Sequence, residues 1–150
     1  MTDPTAGSGP WVRARRLLDS PPDRLHRAWS DPDELSAWFC RAVTGSLSVG
    51  ARSTLVWSDR EVDIDVLESD PPSRHRFRWS SGRGAADTVV TVTIERFGYG
   101  SRLTLEDGPF DVSTPDRVQA FGDAAESWGE ALANLRARVD FGQDLRRPVR

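Results

Sequence analysis

The stretch PDRVQAFGDAAESWGEALANLRARVD, residues 115–140, decides the fold of this chain. Its apolar side chains recur at alternating spacings of three and four, which places them on one face of a helix: Val118, Phe121, Ala125, Trp128, Leu132, Leu135 and Val139. Thr114 suits the helix cap, Pro115 the first turn and Gly142 the end. A helix of about 37 Å, at ~1.5 Å per residue, needs a wide apolar surface to pack against.

Upstream of this helix, the apolar period changes from helical to alternating. The SPPD and DPDE motifs at residues 20–23 and 31–34 are helix-start patterns, so two short helices are expected there. Strands are predicted at residues 11–18, 45–49, 53–57, 61–68, 74–80, 87–95 and 101–106. The order predicts an α+β fold: a curved antiparallel sheet of six or seven strands around a long C-terminal helix, with two short helices after the first strand.

Composition indicates one globular domain. The 150 residues are 37% hydrophobic and 29% charged. Residues 1–9 and 142–150 are predicted to be disordered tails that flank a domain at residues 10–141. The net charge of −3 argues against a nucleic-acid partner. The chain has neither a signal-peptide pattern nor an apolar run near the ~20 residues that span a bilayer, so we expect no membrane insertion and a cytoplasmic location.

The titratable residues form no recognised catalytic or metal-binding pattern. His26 and His75 have no acidic or thiolate partner nearby in the sequence, and Cys40 is the single cysteine. A nucleophile–base–orienter set, a phosphate-binding loop and a dinucleotide fingerprint are all missing from the sequence. We therefore predict no metal, no cofactor and no catalytic residue, although His75 would suit a general base if it faced a cavity beside a polar substrate group.

The aromatic content is large for a chain of this size, with six tryptophans and six phenylalanines. Such side chains either fill the core beneath the long helix or line a pocket in which a flat ligand stacks. The predicted ligand-binding residues among them are Trp38, Phe39, Trp57, Phe77, Trp79, Phe110, Phe121 and Trp128. A sheet curved around a long helix encloses a cavity where such a ligand would bind.

Arg16 interrupts the apolar side of the first strand and is the ninth predicted ligand-binding residue. Strict alternation directs it inward, where an arginine must be paired with a carboxylate or contact a ligand. Contact with a ligand is one interpretation. Structural pairing is the other, and the candidate partners are Asp65, Glu68, Glu106 and Asp107.

A row of three arginines, Arg74, Arg76 and Arg78, lies on the strand next to the one that carries Asp63 and Asp65. Opposite charges that face each other across strands are typical of a solvated sheet face. We therefore expect ion pairs there, and the alternative is a surface that docks an acidic ligand or a protein partner.

Four stretches carry a resemblance to a known family: VRARRLLDSPPDRLHRAWSDPDELSAWF at residues 12–39, VLESDPPSRHRFRW at 66–79, TVVTVTIERFGYGSRLTLED at 88–107 and SWGEALANL at 127–135. Together they resemble the activator of Hsp90 ATPase homologue (AHSA1-like) domains of the START-like, or Bet v 1-like, SRPBCC superfamily. The resemblance implies a helix-grip fold over about residues 11–140. It leaves the function open, because that superfamily includes ligand carriers, polyketide cyclases and proteins that sequester toxic natural products.

The predicted function is non-catalytic binding of a hydrophobic small molecule, aromatic, polyketide-like or lipid-like, by a monomer or weak dimer. The cavity between the sheet and the C-terminal helix would hold it. One alternative is an enzyme of the polyketide cyclase/dehydratase type. The other is a protein-interaction role, either co-chaperone-like or in natural-product self-resistance. An apolar cavity would favour the carrier, converging ionisable groups the enzyme, and a filled core the protein partner.

Overall fold

The computed structural model describes residues 9–80 and 86–146. Most of the predicted N-terminal tail and the end of the C-terminal tail lie outside these residues. The described elements are, in chain order, β1 (Val12–Leu18), α1 (Pro22–Ser30), α2 (Pro32–Ser36), β2 (Ala42–Thr44), β3 (Arg52–Val56), β4 (Glu61–Asp70), β5 (Arg74–Trp79), β6 (Thr88–Phe97), β7 (Gly100–Gly108) and α3 (Pro115–Phe141).

All seven strands form one antiparallel sheet in the order β1-β7-β6-β5-β4-β3-β2. The first strand therefore pairs with the last, and α1 and α2 lie between β1 and the rest of the sheet in the chain. The long helix α3 packs mainly against β1 and α1. The predicted α+β helix-grip architecture, a curved antiparallel sheet with a long C-terminal helix and two short helices after the first strand, is confirmed.

The ends of α3 follow from local sequence. The hydroxyl of Thr114 accepts a hydrogen bond from the backbone N–H of Arg117 at 3.3 Å, and Pro115 occupies the first turn. Gly142 ends the helix with a left-handed φ of 65°, and its N–H bonds to the carbonyls of the preceding turn. The predicted start is therefore correct, and the helix ends one residue beyond the predicted Asp140.

The apolar stripe of α3 is buried only in its C-terminal half. Trp128, Leu132 and Leu135 are at most 2% exposed, whereas Val118 is 53% exposed and Ala125 is also exposed. In the first half of the helix this stripe is therefore not the buried face. Small residues from Ala120 onward face a cavity, and Val118 and Ala125 face solvent.

One strand was predicted in the wrong place. Residues 45–49 form turns, and β2 lies just before them and pairs with β3. Gly45 and Gly50 have left-handed φ angles of 98° and 84°, and the hydroxyl of Ser46 accepts the backbone N–H of Ser48 at 3.1 Å. These local bonds compete with strand pairing, which is why an alternating pattern did not produce a strand.

The outer face of the sheet carries ion pairs, as predicted, but with different partners. Asp65 pairs with Arg52 of β3 at 2.9 Å, and Glu68 lies 3.3 Å from Arg74 and 3.5 Å from Arg76. The bulge in β4 between Val66 and Glu68 places Glu68 opposite Arg76, whereas Asp65 lies opposite both Arg78 and Arg52 and forms its ion pair with Arg52.

Candidate functional site

A cavity of about 250 Å³ lies between the middle of α3, residues 120–134, and the aromatic side chains beneath it. Five aromatic residues from four parts of the chain line it: Trp38 and Phe39 after α2, Trp57 after β3, Trp79 at the end of β5 and Trp128 on α3. Long-range folding therefore brings together rings that are far apart in sequence.

The rings hold one another in place. Phe39 stacks on Trp128 with ring centroids 5.5 Å apart and planes 9° apart, and it meets Trp57 edge-on at 5.2 Å. The indole N–H of Trp57 donates to the carbonyl of Phe39 at 2.9 Å, and that of Trp38 donates to the carbonyl of Ala28 at 3.0 Å. These two hydrogen bonds to the backbone fix the orientation of the Trp57 and Trp38 rings.

Small residues on α3 create the space. Ala120, Ala124 and Ala131 line the cavity where longer side chains would close it. Beside them, at spacings of four, three and four on the same face, lie the polar lining residues Asp123, Ser127, Glu130 and Asn134. The helix therefore contributes an apolar floor and a polar rim.

The opposite side of the mouth carries a cation. Arg60, in the turn between β3 and β4, lines the cavity and places its guanidinium 4.9 Å from the centroid of the Trp57 ring. This is the geometry of a cation–π contact. The mouth thus has acidic groups on the helix side and one basic group on the turn side.

A buried carboxylate lies behind the aromatic walls. Asp107 of β7 is 0% exposed and accepts hydrogen bonds from the indole N–H of Trp128 at 2.8 Å and from the hydroxyl of Thr88 at 2.5 Å. Burial raises the pKa of Asp107, and these two hydrogen bonds oppose that increase. The pKa of Asp107 therefore depends on how deeply the carboxylate is buried behind Trp128 and on the hydrogen bonds it accepts there.

The histidines do not line the cavity. His26 and His75 form a separate buried pair with ring centroids 5.7 Å apart, and Ser69 lies within 3.4 Å of both. Burial, with a smaller contribution from His26, lowers the pKa of His75 to about 4. A general-base role for His75 in this cavity therefore has no geometric support.

Cysteine and metal chemistry also lack support in the described part of the chain. Cys40 is fully buried, and burial raises the pKa of its thiol to about 11, so it is protonated at neutral pH. Across residues 9–80 and 86–146, no three His, Cys, Asp or Glu side chains come together as a metal site would require.

Five of the nine predicted site residues meet at the cavity: Trp38, Phe39, Trp57, Trp79 and Trp128. Three of the others lie elsewhere. Phe77 is buried in the core, and Phe110 stacks on Phe121 with ring centroids 5.2 Å apart, beyond the cavity lining.

Arg16 is half-buried between β1 and α3 and does not line the cavity. Its guanidinium donates to the carbonyl of Arg15 at 2.9 Å, and a Cβ added to Gly129 would lie 3.9 Å from it. Its predicted pairing with Asp65, Glu68, Glu106 or Asp107 was wrong: among the described residues it forms no salt bridge. Asp65 and Glu68 pair with arginines on the outer face, and Asp107 is taken by Thr88 and Trp128.

Arg146 was not predicted to have a structural role. Its guanidinium donates to the carbonyls of Ser36, Ala37 and Cys40 at 3.1, 3.0 and 2.6 Å. These bonds hold the end of α2 and the segment that carries two cavity walls. No local pattern predicts this contact, because the two segments are more than 100 residues apart in the chain.

Comparison with known proteins places this geometry in context. The family model described as activator of Hsp90 ATPase homolog 1-like protein matches residues 19–140. A search of curated proteins gives no match. None of the helices in the described ranges has both the length and the apolar character needed to cross a membrane.

Several solved structures have a similar fold. Protein MLL2253 from Mesorhizobium loti has a TM-score of 0.78 at 24% identity, over 89% of this chain and 99% of that protein. CalU16 from Micromonospora echinospora has a TM-score of 0.76 at 25% identity, over 96% of this chain and 72% of CalU16. The Aha1 dimer from Colwellia psychrerythraea has a TM-score of 0.76 at 15% identity, over 89% of this chain and 98% of that protein's chain.

Proposed function

The chain belongs to the activator of Hsp90 ATPase homolog 1-like family, and from that membership and its cavity we propose that it binds a small, flat hydrophobic molecule without transforming it. The observation that carries the proposal is the cavity of about 250 Å³ with five aromatic walls. Sites lined by aromatic side chains with a few polar groups at the rim are typical of small-molecule binding.

The size of the cavity indicates the kind of ligand. Its volume lies below the roughly 300–1,000 Å³ of sites for drug-sized molecules. An aromatic molecule of two or three rings fits this space better than a long acyl chain does. Affinity would come mainly from buried apolar area, at about 25 cal/mol per Å².

The rim would orient the ligand. Ser127 and Asn134 offer neutral hydrogen-bonding groups on the helix side, Glu130 an acceptor, and Arg60 a donor across the mouth. A hydroxyl or carbonyl group on one edge of the ligand would therefore face the mouth of the cavity, while the rings of the ligand would contact the aromatic walls.

The distribution of ionisable groups supports the proposal of binding without turnover. The charged rim residues of the cavity are exposed or half-buried, and the buried Asp107 is separated from the space by the Trp128 ring to which it is bonded. A cyclase would need an acid or a base directed at the substrate inside the cavity. The carrier is therefore favoured over the enzyme.

The open space also favours a small-molecule carrier over a protein-interaction role, for which a filled core was expected. A monomer or weak dimer in the cytoplasm remains part of the proposal. Support for a dimer is limited to the similar fold of the Colwellia psychrerythraea protein, which is described as one.

A thermal-shift screen tests the proposal directly. Neutral two- and three-ring aromatics, flavonoids and fatty acids would be compared. Each compound that raises the melting temperature would then be recovered, and its mass would be measured by mass spectrometry. We expect the aromatics to raise the melting temperature and to be recovered unchanged, since a ligand at a hundredfold excess over its Kd adds about 2.7 kcal/mol of stability. A changed mass would support the cyclase, and a screen without any shift would contradict ligand binding.

A further inference from the structure

Among the residues that the structure describes, the buried carboxylate of Asp107 has no cationic partner. The groups that approach it from β5, β6 and α3 within the described residues are Trp79, Thr88 and Trp128, all uncharged, and Val12 of β1 lies opposite it in the sheet. The indole N–H of Trp79 is buried beside the carboxylate but makes no hydrogen bond of normal geometry. An ionised carboxylate is costly to bury in such surroundings.

A purely structural role does not require that charge. A neutral acceptor of similar shape would satisfy the Trp128 N–H at a lower desolvation cost. What a carboxylate adds is a charge-assisted hydrogen bond, which is shorter and stronger than a neutral one. The observed 2.8 Å from the indole nitrogen of Trp128 to Asp107 Oδ2 fits that description.

Asp107 can influence the cavity through Trp128, because Trp128 is hydrogen-bonded to Asp107 and its ring lines the cavity. This ring stacks on Phe39 at 5.5 Å and lies 5.2 Å from Trp79, and the carbonyl of Phe39 anchors Trp57. A change in the plane of Trp128 would therefore displace several of the cavity's aromatic walls together.

We propose that Asp107 is a positioning residue for ligand binding: its carboxylate fixes the plane of Trp128 and thereby sets the shape of the aromatic cavity. The inference rests on the proposed function, because it assigns to Asp107 a role in that same site. Asp107 does not touch the ligand. It acts through Trp128.

Protonation of Asp107 should weaken this arrangement. A protonated carboxyl group can turn its O–H toward Thr88, and the Trp128 N–H is then left with a neutral acceptor. Because burial raises the pKa of Asp107, this change occurs at a higher pH than for an exposed aspartate. Affinity for a neutral aromatic ligand should therefore fall as the pH is lowered.

The first test is a double-mutant cycle with the neutral fluorescent probe N-phenyl-1-naphthylamine at neutral pH. Asp107→Asn keeps a hydrogen-bonding side chain of the same shape, and we expect it to weaken probe binding about tenfold, since a charge-assisted bond is roughly twice as strong as a neutral one. In a Trp128→Phe background, which lacks the indole N–H, the same change should have no further effect. Unchanged affinity in Asp107→Asn, or additive losses in the double variant, would overturn the proposal.

The acidic rim groups Asp123 and Glu130 also titrate, so the pH profile needs a comparison. Both groups are retained in Asp107→Asn. The wild-type protein should lose probe affinity on acidification more steeply than this variant, and parallel profiles would count against the proposal.

A second measurement needs no ligand. In spectra of ¹⁵N-labelled tryptophan, the Trp128 indole resonance, identified by its loss in Trp128→Phe, should move on acidification from neutral pH in the wild type and stay fixed in Asp107→Asn. A resonance that does not move would refute positioning by Asp107. If it moves but the wild type binds no probe, the proposed function fails while the control of Trp128 by Asp107 stands.

Discussion

The carboxylate of Asp140, in the last turn of α3, accepts two hydrogen bonds from Ser20, 120 residues earlier in the chain. The backbone N–H of Ser20 lies 3.0 Å from Asp140 Oδ1, and its hydroxyl lies 2.7 Å from the same atom. Oδ2 accepts the backbone N–H of Asp19 at 2.9 Å, and the Asp140 side chain is fully buried. One carboxylate therefore joins the link between β1 and α1 to the end of the long helix.

Loss of this junction should destabilise the domain. Asp140→Ala would leave the backbone N–H groups of Asp19 and Ser20 without their acceptor, whereas the Ser20 hydroxyl keeps the Val139 carbonyl at 2.9 Å, so we expect the free energy of unfolding to fall by about 2–4 kcal/mol. Urea titration at neutral pH measures the change. Asp116→Ala, at an exposed position in the first turn of the same helix, is the control and should cost less than about 1 kcal/mol. Equal losses in the two variants would contradict the structural role of Asp140.

Because the apolar stripe of α3 is buried at Trp128 and exposed at Val118, substitutions at these two positions should reduce stability by different amounts. Trp128→Ala empties a buried site and removes the partner of Asp107, so it should cost about 3–5 kcal/mol. Val118→Ala, on the same predicted stripe but largely exposed, should cost less than about 1 kcal/mol. Denaturant titrations of both variants give the comparison. A small loss for Trp128→Ala, or a large one for Val118→Ala, would show that the helix packs differently.

The buried histidine pair predicts acid sensitivity. Burial lowers the pKa of His75 from an ordinary 6.5 to about 4, so between these values the unfolded chain binds a proton that the folded protein does not. The contribution of neutral His75 to the free energy of unfolding should therefore be fully present above about pH 6.5. It should decline by on the order of 3 kcal/mol as the pH falls toward 4.

His75→Gln removes that contribution while other titrating groups, including His26, remain. Unfolding free energies measured at about pH 7 and pH 4.5 should differ less in the variant than in the wild type. If the two proteins lost the same stability between these pH values, the lowered pKa of the buried His75 would not be a source of the acid sensitivity.

The architecture could be predicted from the sequence because its signals are local. Thr114 and Gly142 mark the ends of α3 through caps made within a few residues, and alternation along β4 and β5 requires only the strand's own period. The exception, residues 45–49, also has a local cause, since glycine conformations and a serine turn replaced the expected strand.

The cavity could be predicted only in part, because it depends on long-range packing. The aromatic content indicated a pocket, but whether Phe77 or Trp79 lines it depends on where the sheet ends beneath α3. Asp123, Ser127, Glu130 and Asn134 share a helix face that is visible in the sequence. That this face turns toward the cavity depends on how α3 is rotated, which contacts such as that between Asp140 and Ser20 determine.

The central claim is that the space beneath the middle of α3 is a binding site, and two neighbouring alanines test it. Ala124 lines the cavity and Ala125 is exposed, so Ala124→Leu should fill the site while Ala125→Leu changes only the outer surface. Both substitutions place the same side chain in the same helix, and alanine and leucine have similar helix propensities. Thermal unfolding of each variant confirms that it is folded before binding is measured.

The decisive measurement is fluorescence titration of N-phenyl-1-naphthylamine into the wild type and these two variants. We expect the wild type and Ala125→Leu to bind the probe with equal affinity and Ala124→Leu to bind at least about tenfold more weakly, since the added methyl groups occupy space that the probe needs. Equal binding by all three proteins would place the probe elsewhere and contradict the account, as would failure of the folded wild-type protein to bind any aromatic ligand.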